Sequence, residues 1–468
     1  MKELKRPNVL IIYTDQQRLD SIKCYGNNIA YTPNIDSLAK QGAKFDKYYV
    51  QNPVCMPSRM SFLTGQYPAS LGIGDNGISL PEDTLTINKI INPYGYHTGQ
   101  IGKLHFKPHV SRDHRDPLPP YGFDTFILSD EPGCYNDAYT KWVESINGNM
   151  VDKIRTSLPP AAFNYGHESY SNVGRETNEP YIFEGEEEYT HSSFVASETC
   201  RFLRNHKDEP FFAISGFYAP HPPINPPKKF VDLYDISKID LPKMGNDEEL
   251  CNELKDLSDD EIKKIIQYYL ALASHVDDCV GDILTALKEL ELEENTIVIF
   301  TTDHGEYLGD HGRIQKGMPG HDVIVNVPFI IRYPRHIKAE TEIKELVEAV
   351  DVVPTILDYL GIQKPRIVQG KSFKPVLDGK IKEHREDVFI ERFNNKGFRE
   401  TTVATKEYKY YISSQGEEIL YDLINDKYEL INLVDNIEYE NIKSLMRKRM
   451  LLRMQNSSYK KLDKDGEY

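Results

Sequence analysis

Cysteine is scarce: six in 468 residues, at positions 24, 55, 134, 200, 251 and 279, with no short CxxC pair among them. That number permits disulfides but does not demand them, and it excludes a disulfide-rich scaffold. Long uncharged apolar runs are also missing, so no membrane span is expected. The opening "MKELKRPNVLIIYTDQQR" reaches a charged motif too soon for a signal peptide with its own cleavage region, which makes the cytoplasm the expected location. There is no excess of basic residues; the formal net charge is -16. This argues against nonspecific nucleic-acid binding, although a local basic pocket can still accept a small anion. Neither a GxGxxG fingerprint, nor a Walker phosphate loop, nor an internal repeat is found. What is present is a globular composition, 39% hydrophobic and 27% charged, on a chain long enough for one large domain with a smaller companion or two to three ordinary domains.

"NVLIIYTD" reads as a buried strand whose polar end is Asp15, and "TPNIDSLAKQGAKFDKYYV" as a turn, a helix from near Asn34 and an extended segment. "TLTINKIINPYGYHTGQIGKLHF" reads as helix, turn and strand, delivering Lys103 and His105 near a strand end. A stretch near 107–200, rich in Pro, Gly and aromatic residues in "RDHRDPLPPYGFDTF" and "SLPPAAFNYGHESY", is expected to be an insertion beside the substrate entrance. Periodicity returns in the helix "HSSFVASETCRFLRNH", the strand "PFFAISGFYAPH", the long helix "SDDEIKKIIQYYLALASHVDDCVGDILTALKELEL" and the strand "NTIVIFTTDHG". Strands ending in polar residues converge naturally in an open parallel sheet. "ELVEAVDVVPTILDYLGI" is expected to be one further helix. "REDVFIERF", "TTVATKEYKYYIS" and "EEILYDL" are expected to form a smaller sheet, followed by the packed helix "IKSLMRKRMLLRMQ" and a frayed "SSYKKLDKDGEY". The expected division is a main domain over 1–375 and a smaller α+β subdomain over 376–468.

Asp15 and Gln16 follow one apolar strand, and Asp303 and His304 follow another. Such oxygen and nitrogen donors from two strand ends suit a divalent cation. Each pair also has an ordinary explanation, since Asp caps helices and a histidine can be a satisfied core residue. Lys103 and His105 have the two-residue spacing of one strand face, so both reach one cavity if the strand stays regular. Asp75 and Asn76 in "GIGDNG" either orient a substrate or hold a turn. His321 after "KGMPG" is a candidate for the pocket, and His311 for stabilising "GDHG".

"VCMPSRMSFLTG" at 54–65 resembles the sulfatase signature C-x-P-S-R through Cys55, Pro57, Ser58 and Arg59, continued by Leu63, Thr64 and Gly65. "YTDQQR", "IGKLHF", "APHPP" and "TTDHGEYLGDHG" followed by Lys316 resemble further pieces of the same site, spread from residue 8 to about 360, and "YKYYIS" with "EEILYDLINDKYELINL" resembles the family's terminal subdomain. The resemblance implies an alkaline-phosphatase-like α/β sulfatase fold, with a large mixed central sheet flanked by helices and a smaller C-terminal antiparallel subdomain. It implies that a maturation enzyme oxidises Cys55 to formylglycine, whose hydrated aldehyde supplies the nucleophilic oxygen.

On that resemblance Asp15, Gln16, Asp303 and His304 hold the metal together with modified Cys55. The hard oxygen donors favour calcium, the first expectation, or Mg²⁺, and the His304 nitrogen makes Mn²⁺ an alternative. Arg59 holds the nucleophilic oxygen, Lys103 a sulfate oxygen, and His105 positions the nucleophile or assists release of sulfate. His221 and Lys316 bind ester oxygens, with His221 preferred for protonating the departing alcohol. Gln16 stands where many arylsulfatases have a second Asp, His304 where they often have Asn, and Asn326 where relatives often have Arg. The first two departures bring the pattern closer to choline-sulfatase-like enzymes and phosphonate monoester hydrolases. The expected activity is therefore hydrolysis of a small-molecule or sugar sulfate ester, with phosphonate monoester or phosphodiester hydrolysis as the alternative. No nucleic-acid or membrane partner is expected, and a homo-oligomer is allowed.

Overall fold

A computed structural model describes residues 6–109, 117–134, 136–155, 179–246 and 248–458. The "SLPPAAFNYGHESY" stretch and all but the first two residues of "SSYKKLDKDGEY" lie outside them.

Strand β1 (Asn8–Asp15) is buried along its whole length. Its side chains alternate between two cores: Val9, Ile11 and Tyr13 face one, Leu10 and Ile12 the other. Both faces are covered, which is why the sequence shows an unbroken apolar run. The other strands are β2 (Ala43–Phe45), β3 (Tyr48–Tyr49), β4 (His97–Gly102), β5 (Thr125–Leu128), β6 (Phe211–Pro220), β7 (Thr296–Thr302), β8 (Phe329–Arg332), β9 (Thr341–Ile343) and β10 (Val347–Glu348). Among the described residues the main sheet has eight strands, in the order β5-β4-β6-β1-β7-β8-β2-β9. From β5 to β7 all neighbours are parallel; β8 then runs antiparallel to both β7 and β2. The sheet is thus mixed, and its parallel half carries the polar strand ends.

Helix Cys55–Thr64 packs on one face through Met56, Met60, Phe62 and Leu63. The helices Pro33–Lys40, His191–Asn205 and Asp259–Glu289 cover the other. The aromatic-rich stretch after residue 107 contributes β5 to the sheet edge. A four-stranded antiparallel sheet, β11 (Val388–Phe393), β12 (Arg399–Ala404), β13 (Tyr408–Ser413) and β14 (Glu418–Asp422), follows, with Met446 and Met450 of helix Glu440–Ser457 in its core. "TTVATKEYKYYIS" supplies β12 and β13 as paired strands.

Two local expectations change. "ELVEAVDVVPTILDYLGI" is not one helix: Val347–Glu348 pairs with Tyr48–Tyr49, and the helix runs only over Val352–Leu360. Asp351 Oδ2 accepts from Glu348 N at 3.1 Å, capping the turn that separates the two. Strand β4 ends at Gly102, so Lys103 and His105 do not lie on one strand face. Gly102 has φ 81°, and a Cβ there would stand 2.1 Å from Gly216 O. His105 has φ 60°, and Asp130 Oδ1 accepts from Leu104 N at 2.7 Å and His105 N at 2.9 Å. The chain turns here instead of continuing extended. No described helix is long and apolar enough to cross a membrane.

Candidate active site

Cys55 opens its helix, so its side chain stands where the first backbone N–H groups are unsatisfied and favour negative charge. Met56 N finds an acceptor in Asn76 Oδ1 at 3.0 Å. Asn76 is thereby engaged in closing the helix start, while its neighbour Asp75 is 3.1 Å from Arg392 Nη2 on β11.

Around Cys55 Sγ stand His304 Nε2 at 3.2 Å, Lys316 Nζ at 2.8 Å and Asp15 Oδ1 at 4.0 Å. Arg59, one turn along the helix, donates Nε to Asp303 Oδ2 at 2.7 Å and Nη2 to Asp15 Oδ2 at 3.1 Å. Its guanidinium lies 4.7 Å from the centre of the Tyr13 ring. Lys103 Nζ is 2.7 Å from Asp15 Oδ2 and 4.3 Å from the centre of the Tyr218 ring. Two strand ends, one helix start and two loops therefore meet, and Ser58 Oγ ties helix to strand by donating to Asp303 O at 2.5 Å.

The charges are mutually dependent. Burial works against ionisation of Asp15, but Lys103, His221, Arg59 and Lys316 hold its carboxyl well below the usual range. Burial also opposes the charge on Arg59, which Asp303 and Asp15 outweigh, raising it. Burial, with Asp15 adding to it and Lys316 opposing it, pushes the Cys55 thiol up to about 11. The unmodified sulfur is therefore a poor nucleophile at neutral pH. Burial holds His304 below its ordinary value. Nδ1 of His304 is 2.8 Å from Gly305 O, an arrangement that places a proton on Nδ1 and leaves the Nε2 lone pair facing Cys55.

Ligand atoms of Asp15, Cys55, Asp303 and His304 all lie within 4.8 Å of one another. Two buried carboxylates and a neutral imidazole form a donor set suited to a hard or borderline divalent cation. Gln16 Oε1 is turned the same way and accepts from Lys316 Nζ at 2.9 Å, while Gln16 Nε2 donates to Glu306. The residues present fit a metal.

His221 follows β6, with Nδ1 2.7 Å from Pro222 O; burial, then Lys316, lowers its pKa well below the ordinary value. The His105 ring packs against His109 with centres 4.7 Å apart and is likewise lowered, by burial, Lys103 and His109. His321 is placed differently: both ring nitrogens face tyrosine hydroxyls, Tyr307 at 3.0 Å and Tyr421 at 3.1 Å. It stacks on His311 at 3.6 Å along the seam with the C-terminal sheet. Asn326 is buried and donates to Asp46 O at 3.2 Å, a packing role.

Sequence reasoning missed three participants. Glu306 anchors the Gln16 amide; its signal was its place three residues after Asp303 in "TTDHGE". Tyr218 donates to Glu131 Oε2 at 2.9 Å, and this pair lines the far side of Lys103. Glu131 carries no motif that would have marked it.

A family model described as "Sulfatase" matches residues 7–362, and one for the C-terminal part of N-sulphoglucosamine sulphohydrolase matches 309–456. An arylsulfatase of Clostridium perfringens is 32% identical over 470 residues, covering 95% of this chain and 94% of that protein. An N-acetylglucosamine-6-O-sulfatase of Bacteroides thetaiotaomicron is 26% identical, covering 99% and 88%. The phosphonate monoester hydrolase of Agrobacterium radiobacter superposes with a TM-score of 0.82 at 24% identity, covering 96% of each chain.

Proposed function

The chain belongs to the sulfatase family and is a sulfuric ester hydrolase, and on that premise we propose that it cleaves a small-molecule or carbohydrate sulfate ester through formylglycine formed at residue 55. The observation that carries this reading is the position of Cys55: buried at a helix start, 2.8 Å from Lys316 Nζ and 3.2 Å from His304 Nε2, beside two carboxylates. One relative is named for N-acetylglucosamine 6-O-sulfate, which puts sulfated amino sugars among the esters to test.

Asp15, Gln16, Asp303 and His304 would hold the metal, calcium first and manganese or magnesium next. That cation would polarise sulfate oxygens and favour the anionic form of a bound hydroxyl. Maturation would replace an inert buried thiol with a hydrated aldehyde, an oxygen nucleophile. The chain's own residues do the rest. Arg59, Lys103 and Lys316 present fixed positive charge to oxygens whose charge grows in the transition state, and they need no reorganisation because Asp15, Asp303 and Gln16 already hold them. His221, with Nδ1 committed to Pro222 O, offers Nε2 as the site that carries a proton to the departing alcohol. His105, whose buried Nδ1 has no hydrogen-bond partner among the described residues, is the base that assists release of sulfate.

Gln16 and His304 support a second reading, hydrolysis of phosphonate monoesters or phosphodiesters, since a cation and fixed positive side chains also stabilise phosphoryl transfer. Two measurements separate the readings. Peptide mass analysis of natively produced, active protein should show residue 55 as formylglycine; persistent cysteine would sink the proposed nucleophile. Matched kinetics should favour sulfate esters, and a strong preference for phosphonate esters would transfer the assignment.

A further inference from the structure

A pocket of about 410 Å³ opens between the start of the long helix Asp259–Glu289 and the loop before Lys316. Its volume lies within the range of about 300–1,000 Å³ common to small-molecule sites. Its position connects it to the chemistry. Pro222, directly after His221, lines one wall, and Gln315, directly before Lys316, lines another. His221 is the group assigned to the departing oxygen, and Lys316 stands 2.8 Å from Cys55 Sγ. Glu306 and Tyr269 line it too, and both hold Gln16, Glu306 through the amide and Tyr269 by donating to Gln16 O at 2.6 Å.

The walls differ sharply from the sulfate end. Ile224, Leu254, Leu257 and Ile265 give the pocket an apolar lining. Among the described residues its charged side chains are four carboxylates, Glu179, Glu253, Glu261 and Glu306, against one ammonium, Lys264. Arg59, Lys103 and Lys316 meanwhile gather at the ester. The two spaces are opposite in charge: cations around residue 55, carboxylates around the pocket.

We infer that this pocket receives the alcohol moiety and selects monosulfated esters of an apolar alcohol, neutral or cationic, against alcohols bearing a second sulfate or a carboxylate. The inference rests on the sulfatase reading and narrows its substrate class. An apolar ring or chain displaces water from the isoleucine and leucine wall. A second anion would face these carboxylates across the pocket, a salt-screened repulsion because Glu179, Glu253 and Glu261 are exposed, and this is the repulsive half of specificity. Glu179 and Glu253, both exposed, are the specificity-determining carboxylates that can be changed without touching the metal donors or Gln16.

The test uses mature enzyme with residue 55 verified by mass, and three aryl sulfates of matched shape: 4-ethylphenyl sulfate, tyramine O-sulfate and 3-(4-sulfooxyphenyl)propanoate. Their phenols are similarly acidic, so leaving-group chemistry is nearly constant and only the remote charge varies. At low ionic strength kcat/KM should be about tenfold higher for the ammonium ester than for the carboxylate ester, with the neutral ester between them. Added salt should compress the ratio, and so should the double variant E179Q/E253Q. Using the ratio rather than a rate removes the effect of a partly unfolded variant. Equal or reversed ratios, or a ratio the double variant leaves unchanged, would overturn the inference while leaving the sulfatase reading standing. Failure to hydrolyse any of the three, with a sugar sulfate still cleaved, would overturn the inference alone; failure on the sugar sulfate as well would overturn both.

Discussion

Lys316 Nζ donates to Cys55 Sγ at 2.8 Å and to Gln16 Oε1 at 2.9 Å, so a cation carried on the loop after β7 is held against the reacting position by a residue at the end of β1. On the proposed maturation, the thiol sulfur marks where Cβ of residue 55 would bear its nucleophilic oxygen. Burial opposes the charge on Lys316, but Cys55 and Asp15 raise its pKa, so it stays an ammonium at neutral pH.

Removing that ammonium should cost the transition state more than the ground state. We expect K316A to lower kcat by about 10²–10³-fold with a smaller change in KM, the range seen when one preorganised stabilising donor is lost. K316R should recover only part, because a planar fork cannot reproduce a point charge between sulfur and amide oxygen. Steady-state kinetics on an aryl sulfate decide it; unchanged kcat in K316A would remove Lys316 from the chemistry.

Metal removal should abolish turnover and weaken the fold locally. Without a cation, Asp15 and Asp303 still have Arg59 and Lys103, so the protein should remain folded. Dialysis against a chelator should reduce activity to background and lower Tm, and Ca²⁺, Mn²⁺ or Mg²⁺ added singly should restore both in proportion to affinity. H304A should shift the restoring preference from Mn²⁺ toward Ca²⁺, because it removes the nitrogen donor. Activity indifferent to chelation would exclude the proposed cation site.

His221 should matter in proportion to how badly the leaving alcohol needs a proton. Burial and Lys316 hold its pKa well below the ordinary value, so the free enzyme carries it neutral, and an arriving anionic ester is what favours its protonation. H221A should therefore slow alkyl sulfates by about 10²–10⁴-fold, the usual worth of general acid catalysis, while 4-nitrophenyl sulfate falls far less. A plot of rate against leaving-group acidity should steepen in the variant. An equal loss on both ester types would assign His221 to binding instead.

The parts of this site legible in the sequence are those written locally. β1 and β7 are unbroken apolar runs ending in Asp15 and Asp303, and "CMPSRMSFLTG" is a contiguous helix start. The parts that escaped depend on residues distant in the chain. His105 leaves the strand direction because Asp130, 25 residues on, captures its N–H. His321 looked free for a pocket, but Tyr421, 100 residues on, takes its Nε2. Gln16 reads as a ligand, yet its orientation is set by Glu306, 290 residues away. "ELVEAVDVVPTILDYLGI" has helical periodicity throughout, and only the pairing of Val347–Glu348 with Tyr48–Tyr49 interrupts it.

Asp351 offers a stability test independent of catalysis. Its carboxylate accepts from Arg385 Nε at 2.7 Å, His384 Nε2 at 3.0 Å and Lys371 N at 2.7 Å, joining the helix Val352–Leu360 to the segment that enters β11. Burial pushes its pKa up, but Arg385 and His384 outweigh burial and hold it well below the ordinary carboxylate value. A folded-state pKa below the unfolded one contributes stability that is fully present above the unfolded value of about 3.9 and is lost as pH falls through the folded one. Urea unfolding of the wild type should therefore show stability falling as pH drops below about 4. D351N, which cannot ionise, should start less stable at pH 7 and show a shallower acid slope. D351A should be the worse variant, by about 1–3 kcal/mol, because it leaves Arg385 with Glu348 as its one remaining buried carboxylate and strips His384 and Lys371 N of their acceptor. Parallel acid slopes for the wild type and D351N would show that this carboxylate does not couple protonation to folding.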